Sequence, residues 1–187
     1  DMKSALVMSA RTKVEQEPNY SYVTARILLD ELRSEALSFL GIAEESSHPE
    51  MQEYYPKAFK AYIEKGIELE MLDPILKNFD LQKLGEAIDY DRDYQFTYLG
   101  LQTLYDRYFI HYQDTRYELP QIFFMRVAMG LAVEEDNKEE RAIEFYRLLS
   151  SFDYMSSTPT LFNSGTLRPQ LSSCYLTTIP DDLDGIF

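Results

Sequence analysis

Helical periodicity extends along most of this sequence and stops after Phe152. Between Asn19 and Leu40, apolar residues recur at intervals of three and four, which is the spacing of one helix face. The residues of this face are Val23, Ile27, Leu28, Leu32, Ala36 and Leu40. Gly41 follows as a predicted C-terminal stop. Similar patterns predict helices at about 2–16, 50–65 (ended by Gly66), 94–107, 119–133 and 137–151.

Shorter patterns predict the connecting elements. Asp73 and Asp80 each precede a short helical stretch and can cap its free N–H groups. Residues 107–120 have the pattern of a β-hairpin, with its turn near 113–115. Asp136 or Asn137 is the predicted cap of the last helix.

The pattern changes beyond Phe152. Two β-like runs, at 159–162 and 171–178, are separated by the segment "NSGTLRPQ". This change predicts a domain boundary, with a helical domain before it and the first strands of a sheet or barrel after it.

The composition provides enough apolar residues for a core and argues against nucleic acid and membranes as binding partners. The 187 residues are 45% hydrophobic and 14% aromatic, which is atypical of a disordered chain. No apolar run approaches the ~20 residues of a membrane helix, and residues 1–16 lack the pattern of a signal peptide. The net charge of −14 argues against non-specific binding to nucleic acid, which depends on basic surfaces. We therefore expect neither a nucleic-acid partner nor membrane association.

Cys174 is the only cysteine in the sequence, and several residues with hydroxyl side chains precede and follow it. They are Ser156, Ser157, Thr158, Thr160, Ser172, Ser173, Thr177 and Thr178. A single cysteine excludes an internal disulfide framework and predicts a reducing, cytoplasmic location. Hydroxyls can bind sugar and phosphate oxygens, and a thiol can deliver reducing equivalents if a second thiol completes a disulfide. The commoner alternative is a strand rich in Ser and Thr with a buried structural cysteine.

Other catalytic arrangements have weaker support. Nucleophilic catalysis by Cys174 would need a nearby base, but His48 and His111 lie in a predicted linker and hairpin. The acidic runs "DYDRDY" and "EEDNKEE" are typical of helix caps and solvated helix starts, so no metal site is predicted. The aspartates of "PDDLDG" can accept hydrogen bonds from ribose hydroxyls, or they can form a turn.

Three stretches carry a family resemblance. "STPTLFNSGTLRPQLSSCYL" followed by "PDDLDGIF" resembles the large catalytic subunit of class I ribonucleotide reductases. "IDYDRDYQFTYLGLQTLYDRYFI" is similar to a second motif of that family, and "YSYVTARILLDELR" resembles the last helix of its nucleotide-sensing cone domain. The resemblance implies a mainly α N-terminal helical domain leading into the first strands of an α/β ten-stranded barrel. Residues 1–40 would end a degenerate ATP-cone-like segment, 41–152 would form the helical domain, and 153–187 would begin the catalytic barrel.

The resemblance also implies site residues. Thr158 and Ser173 would contact the ribonucleotide substrate. Cys174 matches the first cysteine of the redox pair that reduces the ribose C2′ position, so its partner cysteine would lie beyond residue 187. Asp181, Asp182 and Leu183 match the segment that holds the deoxyribose of the allosteric effector, usually at a dimer interface.

The resemblance further implies partners. The substrate would be a ribonucleoside diphosphate, the radical would come from a metal-containing small subunit, and thioredoxin or glutaredoxin would supply electrons. ATP and deoxynucleoside triphosphates would act as effectors of a homodimer, with no cofactor held directly by this part, which would be inactive alone. Ser34 and Glu35 depart from the family, because members with an ATP-responsive cone carry a basic residue just after the position of Arg33. The activity site is therefore expected to be degenerate or to lie in another cone upstream.

Two other interpretations stay open. The chain could be a helical protein–protein interaction module without catalysis, which its acidic, tyrosine-rich composition permits. The related glycyl-radical class is a weaker alternative, because the match at 89–108 favours class I.

Overall fold

The structure is a computed structural model that describes residues 2–178, and it is mainly helical. Its α-helices are α1 (Met2–Arg11), α2 (Tyr20–Phe39), α3 (Met51–Glu68), α4 (Leu81–Glu86), α5 (Tyr98–Arg107), α6 (Pro120–Ala132), α7 (Lys138–Ser150) and α8 (Thr158–Asn163). Two 3-10 helices span Pro74–Asn78 and Tyr90–Gln95, and two short strands, β1 (His111–Tyr112) and β2 (Thr115–Arg116), form a hairpin. The predicted effector-binding residues Asp181, Asp182 and Leu183 lie outside the described residues.

Several predicted elements are confirmed. Helix α2 ends just before Gly41, whose φ of +69° is the left-handed conformation of a helix stop. Asp73 and Asp80 cap their short helices by accepting hydrogen bonds from the backbone N–H groups of Ile75 and Lys83. The hairpin turns at Gln113, which has a positive φ of 54°.

Three predicted helix boundaries are wrong. Helix α1 ends at Arg11 rather than near residue 16. Helix α3 continues past Gly66 to Glu68. A Cβ on Gly66 would lie 2.5 Å from the Leu72 side chain, so this glycine permits close packing rather than ending the helix. The helix predicted from residue 94 begins at Tyr98, because Asp89 caps a separate 3-10 helix ahead of it.

The β-like run at 159–162 is also a wrong prediction, because these residues lie in helix α8. Pro159 has the backbone angle that suits the first turn of a helix. Leu161 is buried and donates its backbone N–H to the carbonyl of Ser157 at 3.1 Å. Residues 171–178 contain no regular strand in the structure. The ten-stranded barrel stays a prediction, since it would need chain beyond the described residues.

Helix α6 lies at the centre of the core. Every residue from Pro120 to Met129 is buried, and all of them except Gln121 and Arg126 are apolar, which is typical of a helix inside a core. It packs against α7 and α8, while α2 packs against α1, α5 and the hairpin. Among residues 2–178, no helix combines the length and apolarity needed to cross a membrane.

Candidate active site

The predicted site residues of the described chain lie on its surface, near the C-terminal end. Thr158 begins α8 and is exposed. Ser173 and Cys174 lie in the irregular segment 171–178, where both are exposed, and Cys174 is a free thiol. Within residues 2–178, no hydrogen bond joins Thr158 directly to Ser173 or Cys174.

Two side chains of α8 connect it to the segment that carries Cys174. Thr160 Oγ1 donates to the carbonyl oxygen of Leu171 at 3.1 Å. Asn163 Nδ2 donates to the carbonyl oxygen of Gln170 at 2.8 Å. These bonds hold the start of the segment 171–178 against α8, which also carries Thr158. The arrangement attaches the chain just before Ser173 and Cys174 to the helix that carries Thr158.

A fully buried ion pair, formed by Arg126 and Glu118, anchors α8 to the core. Arg126 Nε of α6 donates to Glu118 Oε1 at 2.6 Å, and both side chains have no exposed surface. The other guanidinium nitrogens donate to backbone carbonyls, to Ser164 at 2.6 Å and to Leu161 at 3.2 Å. Arg126 therefore fixes the C-terminal end of α8 directly. No sequence pattern indicates this pair, because the partners of a charge inside a largely apolar helix are known only once the chain is folded.

The remaining acceptor positions of Glu118 are also occupied. Tyr62 donates its hydroxyl to Glu118 Oε1 at 2.5 Å, and the backbone N–H of Ile110 donates to Oε2 at 2.8 Å. Burial, reinforced by the Glu118 carboxylate, raises the pKa of Tyr62 well above its ordinary value, so the phenol keeps its proton and remains a donor. Buried carboxylates are tolerated when they are paired and hydrogen-bonded in this way.

The family motif "NSG" has a packing role in this structure. Ser164 is buried and donates its hydroxyl to the carbonyl oxygen of Val127 at 2.7 Å. Gly165 has a φ of +78°, and its backbone lies directly against Gly130 of α6. A Cβ on Gly130 would lie 2.2 Å from the backbone nitrogen of Gly165, so only glycine fits there. The loop after α8 is thereby pressed onto α6.

Replacing Gly130 with alanine is expected to lower the free energy of unfolding by about 3 kcal/mol, because the new methyl group meets backbone that cannot move aside locally. Gly100→Ala in α5 is the matched control. A Cβ there would find its nearest neighbour at 3.6 Å, so stability should rise by up to about 1 kcal/mol through helix propensity. Denaturant unfolding of both variants measures the difference. Equal stability of the two would contradict the close contact at Gly130.

A second buried network explains the acidic stretch at 89–94. Asp93 is buried and accepts a hydrogen bond from Arg33 Nη2 at 2.7 Å. Tyr55 and Gln121 donate to the same carboxylate at distances of 2.8 and 2.9 Å. The network joins α2, α3 and α6 through the second 3-10 helix. The family resemblance implies that residues 89–108 brace the helical domain against the barrel and carry no chemistry, and this brace stays a prediction. The contacts of Asp93 described here join helices to one another.

His48 and the residues after Arg33 have structural contacts too. The His48 ring lies between Arg33 and Asp91 and stacks on Tyr94 with centroids 3.7 Å apart. Glu35 accepts hydrogen bonds from the backbone N–H of Arg116 at 2.7 Å and from the Tyr105 hydroxyl at 3.2 Å. Glu35 therefore ties α2 to the hairpin.

Over residues 2–178, His, Cys, Asp and Glu side chains form no group of three that could hold a metal ion.

Comparison with known families identifies the class of this helical unit. The family model described as the ribonucleotide reductase all-alpha domain matches residues 94–169. The match includes α5, the hairpin, α6, α7 and α8, the helix that begins with Thr158.

Similarity to curated proteins extends along the whole chain. It is 50% identical over 184 residues to the ribonucleoside-diphosphate reductase subunit alpha of Chlamydia muridarum, covering 98% of this chain and 17% of that relative. The subunit alpha of Helicobacter pylori is 39% identical over 189 residues, covering 100% and 22%. The large subunit of Danio rerio is 35% identical over 180 residues, covering 96% and 21%. The chain belongs to the ribonucleotide reductase large-subunit family and spans 17% to 22% of the length of these relatives.

Proposed function

We propose that this chain is the part of a ribonucleoside-diphosphate reductase large subunit that carries the helical domain and the first substrate-facing segment. The observation that carries the proposal is the similarity along 96% to 100% of the chain to proteins of that name. The hydrogen bonds between α8 and the start of the segment that carries Cys174 support it further. The helical interaction module is the second candidate, and no specific contact in residues 2–178 favours it.

The proposed reaction removes the ribose C2′ hydroxyl by thiol-dependent radical reduction. Two thiols together lose two electrons and two protons and form a disulfide. The hydroxyl leaves as water, and C2′ gains a hydrogen. Cys174 would be one of these thiols, and its partner would be a second cysteine of the longer subunit. Thr158 and Ser173 would donate hydrogen bonds to substrate oxygens beside it.

The finer assignments belong to the same proposal. Asp181, Asp182 and Leu183 would hold the deoxyribose of an effector at a homodimer interface, and residues 1–40 would end a degenerate nucleotide-sensing cone. A metal-containing small subunit would supply the radical, and thioredoxin or glutaredoxin would reduce the disulfide in the cytoplasm. These roles come from the family resemblance of the sequence.

The test is an assay of the intact protein that contains this chain. With the small subunit and a thiol reductant present, it should reduce a ribonucleoside diphosphate. Ser173→Ala is expected to raise KM about two- to tenfold, the effect of one lost hydrogen bond. Ser172→Ala, which changes the neighbouring exposed serine, should leave KM unchanged. Absence of turnover under all these conditions would favour the interaction module instead.

A further inference from the structure

The Tyr108 hydroxyl reaches Thr158, although Tyr108 lies outside the predicted site residues. Its oxygen is 3.0 Å from Thr158 Oγ1. Tyr108 is half-buried at the C-terminal end of α5, whereas Thr158 is exposed at the start of α8. The contact therefore joins two elements that are far apart in sequence. A second hydroxyl group therefore contacts a residue that is predicted to bind the substrate.

The position of the Tyr108 ring is fixed by packing. The ring stacks on Phe162 with centroids 4.7 Å apart and an angle of 15° between the planes. It also meets the buried ring of Phe123 edge-on, with centroids 6.4 Å apart. Phe162 and Thr158 belong to the same short helix, α8. Tyr108 thus holds α8 at two points, through its ring and through its hydroxyl.

The distance between the two hydroxyls is compatible with either one as the donor. A threonine hydroxyl has one donor hydrogen and two acceptor lone pairs. A phenol is more acidic than an alkyl alcohol and is therefore the better donor, which favours the direction from Tyr108 to Thr158. The Thr158 hydrogen then points away from Tyr108. It is available to an external acceptor such as a phosphate or ribose oxygen.

We propose that Tyr108 is a positioning residue for the substrate: it fixes the Thr158 hydroxyl so that Thr158 donates to an oxygen of the ribonucleoside diphosphate. This inference rests on the proposed function and adds to it a residue that acts through Thr158. Because Tyr108 contributes to substrate binding rather than to the redox step, its loss should affect KM more than kcat.

The test uses the intact protein with its small subunit, a thiol reductant and cytidine diphosphate. Tyr108→Phe keeps the ring and its stacking, and it is expected to raise KM about fivefold with kcat changed less than about twofold. Tyr105→Phe is the matched control. It removes a hydroxyl from the same helix, one that contacts Glu35 at 3.2 Å, and should leave KM and kcat unchanged.

A double-mutant cycle separates a role through Thr158 from an independent one. Thr158→Val should raise KM by at least as much as Tyr108→Phe, and Thr158→Ser, which keeps the hydroxyl, should restore most of the affinity. In the Thr158→Val background, Tyr108→Phe should have no further effect, because its hydroxyl has lost the group on which it acts.

Each other result overturns the inference. If Thr158→Val raises KM and Tyr108→Phe does not, the proposed function stands and the role of Tyr108 fails. Additive effects in the double variant, or a lowered melting temperature with kcat and KM both impaired in Tyr108→Phe, would give Tyr108 an independent or purely structural role. Failure of the unmodified protein to reduce cytidine diphosphate would overturn the proposed function together with the inference.

Discussion

Replacing Cys174 with serine in the intact protein is expected to lower turnover by at least ~10³-fold, equivalent to about 4 kcal/mol of activation free energy. A serine hydroxyl cannot form a disulfide, so the variant cannot supply the two electrons that reduction at C2′ requires. The measurement is steady-state reduction of a ribonucleoside diphosphate with the small subunit and a thiol reductant present.

The same variant should leave the fold and effector binding unchanged. Serine has almost the same shape as cysteine and adds no charge, so the substitution introduces neither overpacking nor a buried unpaired charge. Far-UV circular dichroism and effector titration provide the two controls. Unchanged turnover in Cys174→Ser would make this thiol a bystander and would remove the segment 171–178 from the proposed active site.

Removing the Glu118 carboxylate has the largest expected effect on stability. Glu118→Ala leaves the Arg126 guanidinium buried without its counter-charge, and we expect a loss of about 3–5 kcal/mol in the free energy of unfolding. The change also takes an acceptor from the Tyr62 hydroxyl and from the backbone N–H of Ile110. Chemical denaturation of the chain measures the loss.

Glu53→Ala is the matched control for Glu118→Ala. Glu53 also pairs with a basic residue, Lys57, at 2.5 Å, but both side chains are largely exposed. The expected loss is therefore only about 0–1 kcal/mol. Similar losses in the two variants would contradict the assignment of Glu118 and Arg126 as a buried support of α8.

The buried pair also links stability to the site. Arg126 holds the carbonyls of Leu161 and Ser164, and Leu161 lies in the same helix as Thr158. Loosening the pair should therefore displace α8 as well as destabilise the core. For this reason a milder change such as Glu118→Gln should raise KM for the substrate even where the protein stays folded.

Periodicity predicted the long helices α2 and α7 well, since the positions that face the core repeat every three to four residues. The capping aspartates Asp73 and Asp80 were found for a similar reason, because a cap acts on N–H groups two or three residues away. Such local features are visible in the sequence before the chain is folded.

The secondary-structure predictions that were wrong failed because of contacts between residues that are far apart in the sequence. The run at 159–162 has the threonine and aromatic residues of a strand, yet burial of Leu161 and stacking of Phe162 on Tyr108 hold it as a helix. Gly66 was predicted to end α3 because glycine is a common helix stop. The prediction failed because the close contact of Gly66 with Leu72 cannot be seen in the sequence.

The buried polar groups were missed for a related reason. Asp93 pairs with Arg33, a residue 60 positions away, and Arg126 fixes carbonyls 35 and 38 positions away. The roles proposed for Thr158, Ser173 and Cys174 come only from the family resemblance, since isolated hydroxyls and one thiol have no diagnostic spacing of their own.

The central claim is that Cys174 is a reductant of the substrate, and a single turnover tests it most directly. The intact protein and its small subunit are mixed with a ribonucleoside diphosphate in the absence of external reductant, quenched, and alkylated. Mass spectrometry then determines the state of Cys174. We predict that Cys174 is found in a disulfide with a second cysteine of the same subunit, in an amount equal to the deoxyribonucleotide formed. Product formation with Cys174 still fully alkylated would contradict the claim.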